Sequence, residues 1–225
     1  MAQWAQHVAV TISQTPSLTQ GKVRIATTPS IAFILIPQVA KILSEHHSEI
    51  EIEVLSGTQL LSLSRGEADI SLRTSKAESS ELLCLASIPS EMMIYGHPDY
   101  VKTLDTTPEL KDLRWICWSQ SLDDLTMNQI LNEKIENFSP VFSSDDFNVQ
   151  MSACAAGVGV MVLPKALHFH PLLKSLVPVN IDMSEYGPGE LNLVVHHRQA
   201  YLPKVKLVIH AIKECFKNIE NNLYY

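Results

Sequence analysis

The chain has 225 residues, 46% of them hydrophobic and 18% charged, with a formal net charge of −7. Such length and apolar content suit a globular α/β protein of one or two lobes. The acidic balance, with no cluster of Lys or Arg, argues against this stretch gripping nucleic acid by itself, which takes a basic face.

The opening "MAQWAQHVAVTISQ" has no basic segment, and polar residues interrupt its apolar ones, so it does not read as a signal peptide. No stretch approaches the roughly 18 apolar residues of a membrane-spanning helix. A cytoplasmic protein without a membrane anchor is the expectation. Residues 2–13 read as a helix that Pro16 and Gly21 end. "KVRIA" (22–26) is a β run, and "TTPS" (27–30) combines turn chemistry with helix caps. The spacing predicts a helix from there to about Glu45. Ile31, Ile34, Leu35, Val39, Ile42 and Leu43 form one apolar stripe, and Phe33, Ile36 and Ala40 a second. Such a helix must be covered on two sides. Pro37 bends it or marks its first turn.

"IEIEVL" (50–55) is a strand, "SGT" (56–58) leads into a short helix, and "ADISLRT" (68–74) is a third strand. The order β-α-β-α-β is that of a doubly wound parallel sheet. "ELLCLASI" and "EMMIYGH" add two β runs. A second unit starts near Pro98, with strands at "RWICWS" (114–119) and "PVFSS" (140–144) around a helix over 123–136. "FNVQMSACAAGVGVMVLP" (147–164) is a helix of small apolar residues, a glycine turn and a strand. "LNLVVHH" (191–197) closes the second unit. A helix over 203–219 has Val205, Val208, Ile209, Ile212, Phe216 and Ile219 on one face. The expected organisation is a linker segment over 1–20, a first lobe over 21–97 and 198–225, and a second over 98–197.

Catalytic and metal signals are weak. Cys84, Cys117, Cys154 and Cys215 are each isolated in apolar surroundings, without the close pairs of zinc sites, and read as buried reduced thiols. The adjacent pairs His46-His47 and His196-His197 should diverge on a helix or strand. His168 and His170 read as loop surface. No serine sits in G-x-S-x-G and no glycine loop cradles a phosphate. Neither an enzyme nor a cofactor is expected.

Four segments, "GKVRIATTPSIAFILIPQVAKIL", "IEIEVLSGTQLLSLSRGEADISLRT", "AAGVGVMVLP" and "LNLVVHHRQAYLPKVKLVIHAI", carry a resemblance. In this order and spacing the chain resembles the effector-binding domain of LysR-type transcriptional regulators, over about residues 2–219. The resemblance implies an α/β fold of two Rossmann-like lobes with two chain crossovers, similar to type 2 periplasmic binding proteins. It implies a small-molecule effector between the lobes, and promoter DNA bound only through an N-terminal domain that precedes this stretch. It also implies a homodimer, or a tetramer at full length. The helix after Asp145 would pack beside the helix after Ser30 of another subunit, its start capped by Ser143 or Ser144 with Asp145 and Asp146 in its first turn. A free-standing solute-binding protein of the same fold is the alternative.

In open α/β sheets ligands bind at the carboxyl ends of strands, near helix N-termini. On the family fold four such ends face one cleft: Thr27, Thr28 and Ser30; Gly57 and Thr58; Ser119, Gln120 and Ser121; Ser143 and Ser144. Singly these hydroxyls are also plausible helix caps; together they suit a polar or weakly anionic metabolite. The Gly57-Thr58 pair and the turn after the first strand match effector-contacting positions of the family. Arg73 either meets a carboxylate ligand or pairs at the surface with Glu67 or Asp69. Asp145 and Asp146 speak against a highly anionic ligand.

Overall fold

The computed structural model describes residues 19–75, 79–122, 126–165, 173–183 and 189–223. The helix expected over 2–13 and the pair His168 and His170 lie outside them. In chain order the elements are β1 (Gly21–Thr27), α1 (Pro29–Ile34), α2 (Ile36–His46), β2 (Ile50–Ser56), β3 (Ile70–Arg73), β4 (Leu82–Ser90), β5 (Met92–Gly96) and α3 (Pro98–Val101). There follow β6 (Ile116–Trp118), α4 (Thr126–Lys134), β7 (Phe142–Ser144), α5 (Phe147–Ala155), β8 (Val160–Pro164), β9 (Val177–Pro178), β10 (Gly189–His196) and α6 (Pro203–Leu223).

Five strands form one sheet in the order β2-β1-β3-β10-β4. β1 runs parallel to β2 and β3, whereas β10 is antiparallel to both β3 and β4. The other strands form the sheet β8-β5-β9 and the parallel pair β6-β7, which a bridge between Trp115 and Val160 joins. The mixed α/β fold expected from the sequence is present, but two strands belong to the opposite sheet from the one their chain position suggests. β5 reads as part of the first unit and instead pairs with β8, from Met92–Pro164 to Gly96–Val160. β10 reads as the end of the second unit and instead lies inside the first sheet, between β3 and β4. Periodicity identifies a strand without identifying its neighbours. The step from β4 to β5 takes one residue, Glu91, and Pro89-Ser90 before it marks a break without saying that the chain changes sheet. On this pairing we place the crossings between the units at Glu91 and between Pro178 and Gly189, rather than near residues 97 and 197.

The core of the first unit packs β1, β3 and β10 against α2 and α6, with Val23, Ile25, Leu72, Leu193, Val39, Val205, Val208 and Ile212 fully enclosed. Burial on this scale supplies most of the driving force for folding. The helix expected to run to Glu45 divides at Leu35, and Pro37 falls in the first turn of α2. Proline has no N–H to donate to residue 33. Of the second apolar stripe, Phe33 is 45% exposed and Ala40 is exposed, while Ile36 is in the core. The short helix expected after Gly57 does not form. Residues 57–66 make a loop, which Glu67 just after it ties down by accepting a hydrogen bond from Ser62 N at 2.7 Å and from Arg65 Nε at 3.0 Å. Those bonds hold the Glu67 carboxyl below its usual range, the backbone bond being the larger cause.

In the second unit, α5 is capped by Asp146, not by a serine. Asp146 Oδ1 accepts from Asn148 N at 2.7 Å and Val149 N at 3.3 Å. Ser144 Oγ accepts from Asp146 N at 3.0 Å, one step earlier. Aspartate places a full charge where the helix leaves unpaired N–H groups, so it displaces a hydroxyl as the cap. The helix ends in a Schellman arrangement: Val158 N donates to Ala153 O at 3.1 Å and Gly157 N to Cys154 O at 3.0 Å, with Gly157 at φ +80°. Phe147, Met151, Ala153 and Cys154 are buried, whereas Val149 is 45% exposed.

Candidate functional site

The C-terminal end of β1 turns through Thr28 into α1, which leans toward the second unit: Ile34 joins the cluster of Phe147, Met151 and Cys154 rather than that of its own sheet. Facing it are the end of β6 and the start of α5. Between them lies a cavity of about 330 Å³. The first unit lines it with Thr28, Ser30, Ile31, Ile34, Leu35, Thr58 and Thr74. The second contributes Trp115 through Trp118, Met127, Asn128, Leu131, Phe147, Gln150 and Met161. Met92, Gly189 and Glu190, at the crossings, complete the wall, and α6 adds Ile219.

Thr28 precedes α1 in the N-cap position, but its side chain makes no capping bond. Its Oγ1 lies 3.1 Å from Ser30 Oγ. Asn128, which is buried, donates from Nδ2 to Trp118 O at 3.0 Å, and the buried Gln150 donates from Nε2 to Ser144 O at 2.8 Å. These amides tie α4 and α5 to the ends of β6 and β7. The rings of Trp118 and Phe147 stack with centroids 6.5 Å apart and planes at 29°, within the range of favourable aromatic pairs.

Of the residues expected at the site, Thr28, Ser30 and Thr58 line the cavity together. Thr27 is buried on the sheet side, and its carbonyl accepts from Gly57 N at 3.0 Å. Gly57 is outside the lining, beside Thr58. Ser119 and Gln120 lie beyond Trp118: Ser119 Oγ is 3.0 Å from Ser121 Oγ, and Gln120 is exposed. Ser144 is taken up by the turn before α5. Arg73 is buried at the end of β3, which removes the surface ion pair considered for it. Glu67 and Asp69 pair instead with Arg65, at 3.0 Å, and Arg24, at 3.9 Å.

The expectation of a largely polar cleft also gives way. A helix opening at a strand end would add free backbone N–H groups to the hydroxyls there. No helix opens at Gly57-Thr58, and α1 is six residues long with Pro29 first. The chain fills the space with Trp115, Trp118, Phe147, Met127 and Met161 instead. Sequence reasoning missed Trp118, Gln150 and Glu190; Gln150 is the signal it left unused, a long polar side chain set among the buried apolar residues of α5.

Among the described residues no group of three or more His, Cys, Asp or Glu is placed to hold a metal ion. The His196 and His197 rings do not diverge as expected but approach to 4.4 Å, because β10 ends at His196 and strand alternation lapses there. His196 Nε2 lies 3.8 Å from Glu81 Oε2. Cys117, Cys154 and Cys215 are buried, but Cys84 is exposed, on β4 at the edge of the sheet. Burial pushes the Cys154 thiol up to about 12 and the Cys215 thiol to about 11.

The family model described as "LysR substrate binding domain" matches residues 16–217. Among solved structures, the chain is similar to the regulatory domain of CrgA, a LysR-type transcriptional regulator from Neisseria meningitidis, with 17% identity and a TM-score of 0.71 over 87% of this chain and 99% of that one. It is similar to the reduced regulatory domain of OxyR2 from Vibrio vulnificus, with 15% identity and a TM-score of 0.65 over 88% of this chain and 96% of that one. The regulatory domain of AphB in Vibrio vulnificus shows 20% identity and a TM-score of 0.61 over 88% of this chain and 99% of that one. No curated protein matches the sequence.

Proposed function

The chain belongs to the LysR substrate-binding domain family, and from that premise we propose that it is the ligand-sensing part of a LysR-type transcriptional regulator. A small effector occupies the cavity between the units, shifts their relative angle, and so changes DNA binding by the full-length protein. The observation that carries this reading is the composition of the wall, which takes residues from both units and from both crossings. A ligand that touches both sides binds one relative angle better than another, and that difference in affinity is what shifts a population.

The assembly we propose is a homodimer through the outer faces of α1, α2 and α5, where Phe33 and Val149 are each 45% exposed. Promoter DNA is contacted by the family's DNA-binding domain rather than by this stretch, whose net charge is −7. No helix among the described residues is long and apolar enough to cross a membrane, and the site of action we propose is the cytoplasm. The protein senses and does not catalyse.

A thermal-shift screen of a metabolite library tests the reading, since a ligand at 100 times its dissociation constant adds about 2.7 kcal/mol of stability. A true effector raises the melting temperature of the wild type, raises that of Thr58→Val less, and changes promoter retention by the full-length regulator. Screening hits that act equally on wild type and on Thr58→Val and Thr28→Val, or that leave promoter binding unchanged, would sink it.

A further inference from the structure

Resting on the reading of the cavity as an effector site, we infer that its ligand is an uncharged, largely apolar molecule with a flat body and one hydrogen-bonding end. The walls set the body. Trp118 and Phe147 present stacked rings, and Met127, Met161 and Ile34 surround them. Aromatic faces favour a flat partner, and methionine adapts to its outline. The volume, about 330 Å³, stands at the small end of the roughly 300–1,000 Å³ typical of ligand cavities and suits a molecule of one or two rings.

The polar groups set the end. Two hydroxyls 3.1 Å apart share one O–H between them, so the Thr28 and Ser30 pair keeps one O–H to donate and lone pairs to accept. The amide nitrogens of Asn128 and Gln150 are already committed to backbone carbonyls. Charge sets the rest. Among the described lining residues there is no Lys, Arg or His, and Glu190 is acidic. A carboxylate or phosphate placed here loses its hydration without gaining a cation, which is unfavourable. The backbone offers only the N–H groups of Ser30 and Ile31 at the start of the six-residue α1, since Pro29 has no N–H and Ala32 N already donates to Thr28 O at 2.9 Å.

Two probes of one shape test this on the full chain: naphthol, uncharged at neutral pH, and naphthoate, its carboxylate counterpart. Calorimetric titration should give naphthol at least about tenfold tighter binding than naphthoate. Trp118→Ala should weaken naphthol by about tenfold or more, while Trp118→Phe keeps the ring and retains most of the binding. Thr28→Val should weaken it severalfold. Naphthoate binding as tightly as naphthol or tighter, and losing affinity in Trp118→Ala, overturns the ligand class and leaves the cavity as the effector site. Naphthol binding that is unchanged in Trp118→Ala, or no binding of either probe to wild type, overturns both.

Discussion

The backbone of Gly159 lies against the carbonyl oxygen of Arg114, and the next residue, Val160, donates its N–H to that same oxygen at 2.8 Å. A Cβ at residue 159 would overlap main-chain atoms, which cannot swing aside as a side chain can. Gly159→Ala is therefore expected to destabilise the protein by about 2 kcal/mol or more. Gly57→Ala, where a Cβ meets nothing within 4 Å, should stay within about 0.5 kcal/mol of wild type. Urea denaturation midpoints compare the two; similar values would mean the Arg114–Gly159 contact is slack.

Asp146→Ala removes the cap of α5 and leaves the N–H groups of Asn148 and Val149 without their acceptor. The expected cost is about 1 kcal/mol, with the denaturant slope unchanged. Asp145, which makes no such bond, should tolerate alanine with little effect. A loss at Asp145 equal to that at Asp146 would show that bulk negative charge, not the cap, stabilises the helix start.

The buried thiols predict an alkaline loss of stability. The folded chain keeps the Cys154 and Cys215 protons up to about 12 and about 11, while the unfolded chain releases them near the ordinary value of 9.0. Between those limits the folded state binds more protons, so stability falls as pH rises. Cys154→Ala should flatten that decline in melting experiments between pH 9 and 11. At pH 8 maleimide should label the exposed Cys84 first, and early labelling of Cys154 would show that α5 opens readily.

The helix faces proposed for the dimer give a separate test. Ala153 lies on the helix expected to meet another subunit, yet it is only 9% exposed inside its own unit; a charge there attacks the fold. Phe33→Glu and Val149→Glu place the charge on open surface. Sedimentation velocity should show a dimer for wild type and monomers for both variants, with melting of the monomer little changed. A wild type that sediments as a monomer at high concentration removes the interface.

Much of the fold was legible because the chain spends its apolar residues in clean periods: the buried faces of β1, α2 and α6 follow the spacings that strands and helices require. The placement of β5 and β10 was not legible, since a strand's period says which face is buried and nothing about which strand lies beside it. The cavity was legible in part. Thr28 and Ser30 sit where the turn between β1 and α1 puts them and Thr58 in the loop after β2, whereas Ser119 and Ser144 were spent on local hydrogen bonds. Trp118 and Met127 look like ordinary core residues in a sequence, because an apolar side chain facing a cavity and one facing a neighbour obey the same pattern.

The position of β10 between β3 and β4 bears on how the protein is made. Leaving the ribosome, β3 and β4 emerge more than 90 residues before the strand that must separate them. The bond from Cys84 to Asn192 spans 108 residues and that from Lys204 to Lys22 spans 182. Until residue 196 is free of the exit tunnel, β3 and β4 lack the strand between them and present two unsatisfied edges to other nascent chains. Contacts so distant in sequence also make closure slow. The second unit also waits, for β5 to meet β8 and β9, but its last strand ends at Pro178, before β10 begins at Gly189, so the half of the cavity built from Trp118 and Phe147 is complete in the chain before the half built from Thr28 and Ser30 is secured.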